Sequence, residues 1–230
     1  MLYLNFCSPL YNEYQIILLG IIQGLTEFLP ISSSGHLVLG QALLGIKIPG
    51  NAFEVVTHLG TLLSVFCVFW KDIISLVSNI NHKESQKYLR FIVLGSLPAI
   101  VVGLGGKKMI VDVFDSVNLV SGALMFTGLV LFLSQRLKSG SNPISIRNGF
   151  MIGLAQAVAI IPGISRSGMT ITTAMALGIS GKEAAKFSFL LAIPAISGAG
   201  LLTALDPSFS LISIPYMFSY LLVCCSHYLA

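Results

Sequence analysis

Charge is what this sequence has least of. Lys, Arg, Asp and Glu together make up 10% of its 230 residues, where an ordinary soluble domain carries roughly a quarter. With 55% hydrophobic residues and a mean hydropathy of +0.88, the chain cannot cover itself with a water-facing surface, which excludes a soluble globular domain. No Lys or Arg precedes Lys47, and Glu13 stands where the basic region of a cleavable signal would lie, so the N-terminus is expected to stay. Cysteine is sparse. Cys7, Cys67, Cys224 and Cys225 sit in or beside apolar segments without C-x-x-C spacing, so they read as small hydrophobes rather than as disulfides or a zinc site. The net charge of +4 is spread over short loops with no basic patch, which speaks for membrane topology and against a nucleic-acid partner.

What the chain does have is long apolar runs. Residues 53–70, 88–106, 118–134, 186–203 and 212–229 are each close to the ~20 residues needed to cross a ~30 Å hydrocarbon core. The stretches 14–45 and 148–179 differ: each is two shorter apolar pieces joined at a proline and a serine cluster. Such a pattern predicts a re-entrant helical hairpin, whose irregular backbone is tolerated at membrane depth only when buried in protein or lining a cavity.

The two interrupted stretches are related. At a constant offset of 133 positions, Gly20 falls on Gly153, Gln23 on Gln156, Ser32 on Ser165, Ser34 on Ser167, Gly35 on Gly168 and Gly45 on Gly178. The expected fold is therefore an all-α integral membrane protein, one domain over 1–230. Its repeats cover about 14–134 and 148–230, each opening with a hairpin, and about five spanning helices complete it. If the second copy repeated the first in full it would run past Ala230, so a sixth span is expected to be missing at the C-terminus. Orientation follows from the basic loops. Lys71, Lys83, Lys87 and Arg90 lie on the same side as Arg136, Lys138 and Arg147, and that side is cytoplasmic. The first hairpin then dips in from outside and the second from the cytoplasm, an inverted-topology repeat with both tips near the midplane.

Ionisable and hydroxyl side chains collect at those tips. On a helix, Gly20, Gln23, Gly24 and Glu27 share one face; the glycines suit a close packing seam, whereas a carboxylate in the membrane needs a task. Ser32, Ser33 and Ser34 in one copy, and Ser165, Arg166 and Ser167 in the other, stand where a half-helix begins. Capping accounts for one serine per copy. Hydroxyls, free N–H groups and a guanidinium fork converging on one point make an anion site suited to phosphate. Thr170 adds a hydroxyl, and His36, near Glu27 and Ser33 in sequence, reads as a catalytic or phosphate-contacting residue. Glu54 and His58, spaced i, i+4 at the end of a span, read first as an interhelical polar pair and, as the second reading, as residues that reach the site; His82 and His227 have no such company.

The run from Gln23 through Glu27 to His36, the run Pro162-Gly-Ile-Ser165-Arg166-Ser167-Gly-Met-Thr170, and Phe53-Glu54-Val55-Val56 closely resemble the bacterial undecaprenyl-diphosphate phosphatase family of the bacitracin-resistance type. The resemblance covers essentially the whole chain. It implies an inner-membrane hydrolase that converts undecaprenyl diphosphate to undecaprenyl phosphate and inorganic phosphate, recycling the lipid carrier of peptidoglycan synthesis. It implies Glu27, His36, Ser33 and Arg166 as catalytic residues. Gln23, Ser32, Ser34, Ser165, Ser167 and Thr170 are then expected at the substrate. The family also implies a divalent cation, Mg2+ or Ca2+. The first motif often carries a second glutamate where this chain has Gln23, so the ion would lean on Glu27, substrate phosphate oxygens and water. The expected partners are undecaprenyl diphosphate and membrane lipid, with a homodimer left open, and the active site is expected to open to the periplasmic face. Two alternatives stand beside the phosphatase: an inverted-repeat transporter of anions or lipids, and an inactive truncated remnant.

Overall fold

The computed structural model describes residues 13–46 and 52–205, and every regular element among the described residues is a helix. The last expected span, 212–229, lies outside them. The sequence breaks act where local chemistry dictates. Helix α1 (Glu13–Glu27) stops before Pro30, and α2 (Ser33–Leu43) starts after it, capped by Ser32, whose Oγ accepts from the Gly35 N–H at 3.3 Å. Helix α8 (Ile146–Val158) stops before Pro162, and α9 (Arg166–Ala176) is capped by Ser165, whose Oγ accepts from the Gly168 N–H at 3.0 Å. Ser32 differs from Ser165 in its backbone: its φ of 69° lies where L-residues are strained, against −71° for Ser165.

Between these pairs run α3 (Ala52–Val68), α4 (Trp70–Ser78), α5 (Lys83–Gly105), α6 (Lys107–Phe114) and α7 (Val117–Ser134), and after them α10 (Gly181–Ala204). Helices α5, α7 and α10 are long and apolar enough to cross a membrane. The run expected to span over 53–70 is helical as α3 to Val68, where it bends by 71° into α4; the two helices pass for a span when taken together. No proline or glycine marks that bend. The Phe69 ring stacks on Phe189 of α10 at 5.6 Å, and Asp72 pairs with Lys186 of α10 at 2.6 Å, so contacts with a distant element hold it.

Lipid supplies little hydrophobic drive for helices to associate, so close packing and polar contacts must do so. Helices α5 and α8 meet through glycines: a Cβ on Gly153 would collide with the Gly95 carbonyl, and one on Gly95 would come within 2.9 Å of the Gly149 carbonyl. Around this seam Phe91, Ile152, Ala174, Ile179, Phe187 and Leu191 tie α5, α8, α9 and α10 into one core. By contrast α7 buries only Val120 and Thr127, while Met125, Leu129 and Phe132 stay exposed, the pattern of a helix facing acyl chains. Thr127 stitches the second break to α7, donating to the Gly163 carbonyl at 2.8 Å and accepting from the Ser165 N–H at 3.0 Å. Two backbone groups that helix termination leaves unpaired are thereby satisfied inside protein.

Candidate active site

The first turns of α2 and α9 face each other across a cavity of about 60 Å³. Ser32, Ser33 and Ser34 form one wall and Ser165, Arg166 and Ser167 the other, while Glu27 and His58 close it from α1 and α3. Two helix N-termini thus present N–H dipoles and five serine hydroxyls to one small volume, a setting that favours an anion.

Glu27, 5% exposed, organises the centre. Its Oε1 accepts from Arg166 Nη2 at 2.6 Å. Its Oε2 accepts from Ser33 Oγ at 2.5 Å and from Gln23 Nε2 at 2.9 Å, and lies 3.3 Å from His58 Nε2. A buried carboxylate survives at this depth because every oxygen is met by a donor or a cation. Arg166 uses one arm of its fork on Glu27; Nη1 is buried without a partner. A guanidinium with one arm committed and the other waiting suits a ligand oxygen that can accept from it.

The remaining expected residues divide. Ser32 and Ser34 lie 3.3 Å apart through their hydroxyls, and Ser165 and Ser167 3.4 Å apart, all four in the cavity wall. Gln23 is fully buried behind Glu27 and supports it rather than lining the cavity. Thr170 sits under the floor, donating to the Arg166 carbonyl at 2.8 Å and meeting Ser188 Oγ of α10 at 2.5 Å. His36 is half-buried on α2, outside the cavity lining, with Nδ1 donating to the Ser32 carbonyl at 2.8 Å. The histidine that reaches Glu27 and Ser33 is His58, which sequence spacing assigned to a polar pair with Glu54. The Glu54 side chain accepts from Gln41 Nε2 of α2 at 2.9 Å, and only the Glu54 backbone carbonyl meets His58. Sequence reading did not single out Ser188 or Thr127; neither belongs to a local pattern that points to the tips.

The donor set does not fit a resident divalent cation. Among the described residues no three His, Cys, Asp or Glu side chains converge as ligands. Both oxygens of Glu27, the carboxylate at the centre, are already engaged, one of them by a guanidinium that would repel a metal ion.

Comparison with known proteins gives a consistent set of names. The family model described as bacitracin resistance protein BacA matches residues 16–227. A Methanosphaera stadtmanae protein named undecaprenyl-diphosphatase is 39% identical over 211 residues, covering 83% of this chain and 76% of its own length. A protein of the same name from Christiangramia forsetii is 40% identical over 229 residues, 93% of this chain and 87% of its own. Another from Desulfosudis oleivorans is 45% identical over 211 residues, 84% and 77% respectively.

Proposed function

We infer the reaction from one premise: the chain belongs to the BacA bacitracin-resistance family. It is a multi-pass membrane enzyme that hydrolyses undecaprenyl diphosphate to undecaprenyl phosphate and inorganic phosphate. This reading holds over a transporter and over an inactive remnant, because relatives matching most of the chain carry the name of a hydrolase.

The observation that carries a mechanism is the 2.5 Å contact between Ser33 Oγ and Glu27 Oε2. In our reading the diphosphate enters the cavity with its terminal phosphate between the two helix N-termini. Arg166 and the serine hydroxyls take the phosphate oxygens, which offsets the charge that grows on them as the anhydride breaks. Ser33 Oγ, losing its proton to Glu27, attacks the terminal phosphorus, and the bond to the bridging oxygen breaks, releasing undecaprenyl phosphate. Glu27 hands that proton to the departing undecaprenyl phosphate; ionised again, it takes a proton from water, whose oxygen attacks the phosphoserine, and returns it to Ser33 Oγ as the Oγ–P bond breaks and inorganic phosphate leaves. Any divalent cation is taken to arrive on the diphosphate oxygens as part of the substrate, in keeping with the lack of ligands among the described residues. Phosphate release from undecaprenyl diphosphate by the purified chain in detergent tests the reading, since hydrolysis needs no sealed membrane; no release at any cation concentration would sink it.

The finer architecture belongs to the same proposal. An inverted repeat is supported by matching helix limits: Ser33–Leu43 and Arg166–Ala176 are the same length at the 133-residue offset. Gly45 and Gly178, equivalent positions, follow α2 and α9 with φ of 66° and 79°. With the basic loops in the cytoplasm, each pair is a re-entrant hairpin in the bacterial inner membrane, and the Glu27 side of the cavity opens to the periplasm.

A further inference from the structure

Three ionisable side chains line the cavity, Glu27, Arg166 and His58, and only His58 comes from α3. Its ring is held from both ends. Nδ1 lies 2.6 Å from the backbone carbonyl of Glu54, one turn earlier. A carbonyl only accepts, so Nδ1 carries a proton and the ring plane is set by the helix itself. The Glu54 side chain anchors that turn to α2 through Gln41 at 2.9 Å. The height of His58 over Ser33 is therefore fixed by the packing of α3 on α2.

Distances decide what the other nitrogen does. Nε2 is 3.4 Å from Ser33 Oγ and 3.3 Å from Glu27 Oε2. Ser33 Oγ is 2.5 Å from Glu27 Oε2, the length of a strong bond from a hydroxyl to a carboxylate, whereas 3.4 Å is at the limit of a hydrogen bond. The Ser33 proton thus belongs to Glu27, and His58 is not its base. With Nδ1 already carrying a proton, Nε2 braces Oε2 as the second N–H of an imidazolium, alongside Gln23 at 2.9 Å.

That brace matters at one step. In the resting site Arg166 holds Oε1 at 2.6 Å. With Nη2 on Oε1 and the unpartnered Nη1 turned to the diphosphate, Arg166 is shared between Glu27 and the substrate, and the contacts to Oε2 keep the carboxylate in line with Ser33. We propose that His58 is a positioning residue that keeps Glu27 aimed at Ser33 while Arg166 engages the substrate. The proposal rests on the hydrolase reading above. His36, whose Nδ1 bonds the Ser32 carbonyl and which lies outside the cavity lining, has no such part.

Two measurements on the full chain in detergent separate this proposal from that reading. With 15N-labelled histidine, the His58 Nε2 resonance, identified by its loss in His58→Gln, should move in Glu27→Gln while the His36 resonances stay; a His58 resonance that does not move overturns the contact whether or not the enzyme is active. In phosphate release from undecaprenyl diphosphate, His58→Ala should lower kcat about 100-fold with KM nearly unchanged. His58→Gln, whose amide N–H can reach Oε2, should recover most of that loss, with both variants matching wild type in melting temperature. An alanine variant with wild-type kcat overturns the role, and so does a glutamine variant as slow as alanine, which would make the imidazole itself a proton carrier. Wild-type protein that releases no phosphate strikes at the hydrolase reading, leaving the resonance shift to judge the contact.

Discussion

Arg166 and Glu27 stand 139 positions apart in the chain and meet at 2.6 Å in the middle of the cavity, one from each interrupted stretch. Neither stretch alone holds a complete site: the first supplies the carboxylate and the candidate nucleophile, the second the cation.

Arg166→Lys keeps the charge and loses the fork. A lysine ammonium cannot hold Glu27 with one arm while offering a second, so kcat should fall by about 100-fold or more. Phosphate release at matched protein levels checks this, and near-normal turnover would remove Arg166 from phosphate binding.

Glu27→Gln should lower kcat by about 100- to 10,000-fold, the share usual for a positioned base. The fold should survive, because Gln23 and Gln156 are amides already buried at equivalent depth, 0% and 2% exposed. Leaving Arg166 without its counter-charge should still lower the melting temperature, to be read by thermal denaturation in detergent.

Gly153→Ala forces a methyl group against the Gly95 carbonyl, a backbone atom that cannot rotate away. The α5–α8 seam should open at a cost of about 1–3 kcal/mol. Gly122→Ala, on α7 with open space where the new atom would sit, should leave the melting temperature unchanged, which makes it the control.

Thr127→Val keeps the shape and removes the hydroxyl that serves both the Gly163 carbonyl and the Ser165 N–H. Two buried backbone groups lose their partner, at about 1–3 kcal/mol each. The second tip should loosen, with KM for the diphosphate rising more than kcat falls.

Under the proposed topology, a cysteine at Ser33, with the four native cysteines replaced, should react with an impermeant thiol reagent added outside spheroplasts. A cysteine at Lys83 should not. The reverse pattern would send the site to the cytoplasm.

Much of this was legible because proline, serine caps and apolar runs act locally. Ser32 and Ser165 mark the starts of α2 and α9, and Pro30 and Pro162 lie in the gaps before them. Serines and arginine at those starts pointed to an anion before any geometry was known. What escaped was set by packing between distant elements. The bend after Val68 carries no breaker residue and depends on Phe189 and Lys186 of α10. His58 looks like half of a pair with Glu54 because i, i+4 spacing is visible in sequence. Its reach to Glu27 depends on how α3 lies against α1 and α2. His36, adjacent to the serines in the chain, turns its Nδ1 to its own helix's first carbonyl.

The cavity holds about 60 Å³, less than half the ~150 Å³ that lodges a benzene ring in an engineered protein core. An isoprenoid cannot follow its headgroup into such a space. The tail therefore stays among the acyl chains, and the bilayer completes the binding site. It confines the substrate to a plane, holds the diphosphate at a set depth and raises its local concentration. The cavity itself is then left to recognise the phosphate, while the membrane sets which diphosphates reach that depth.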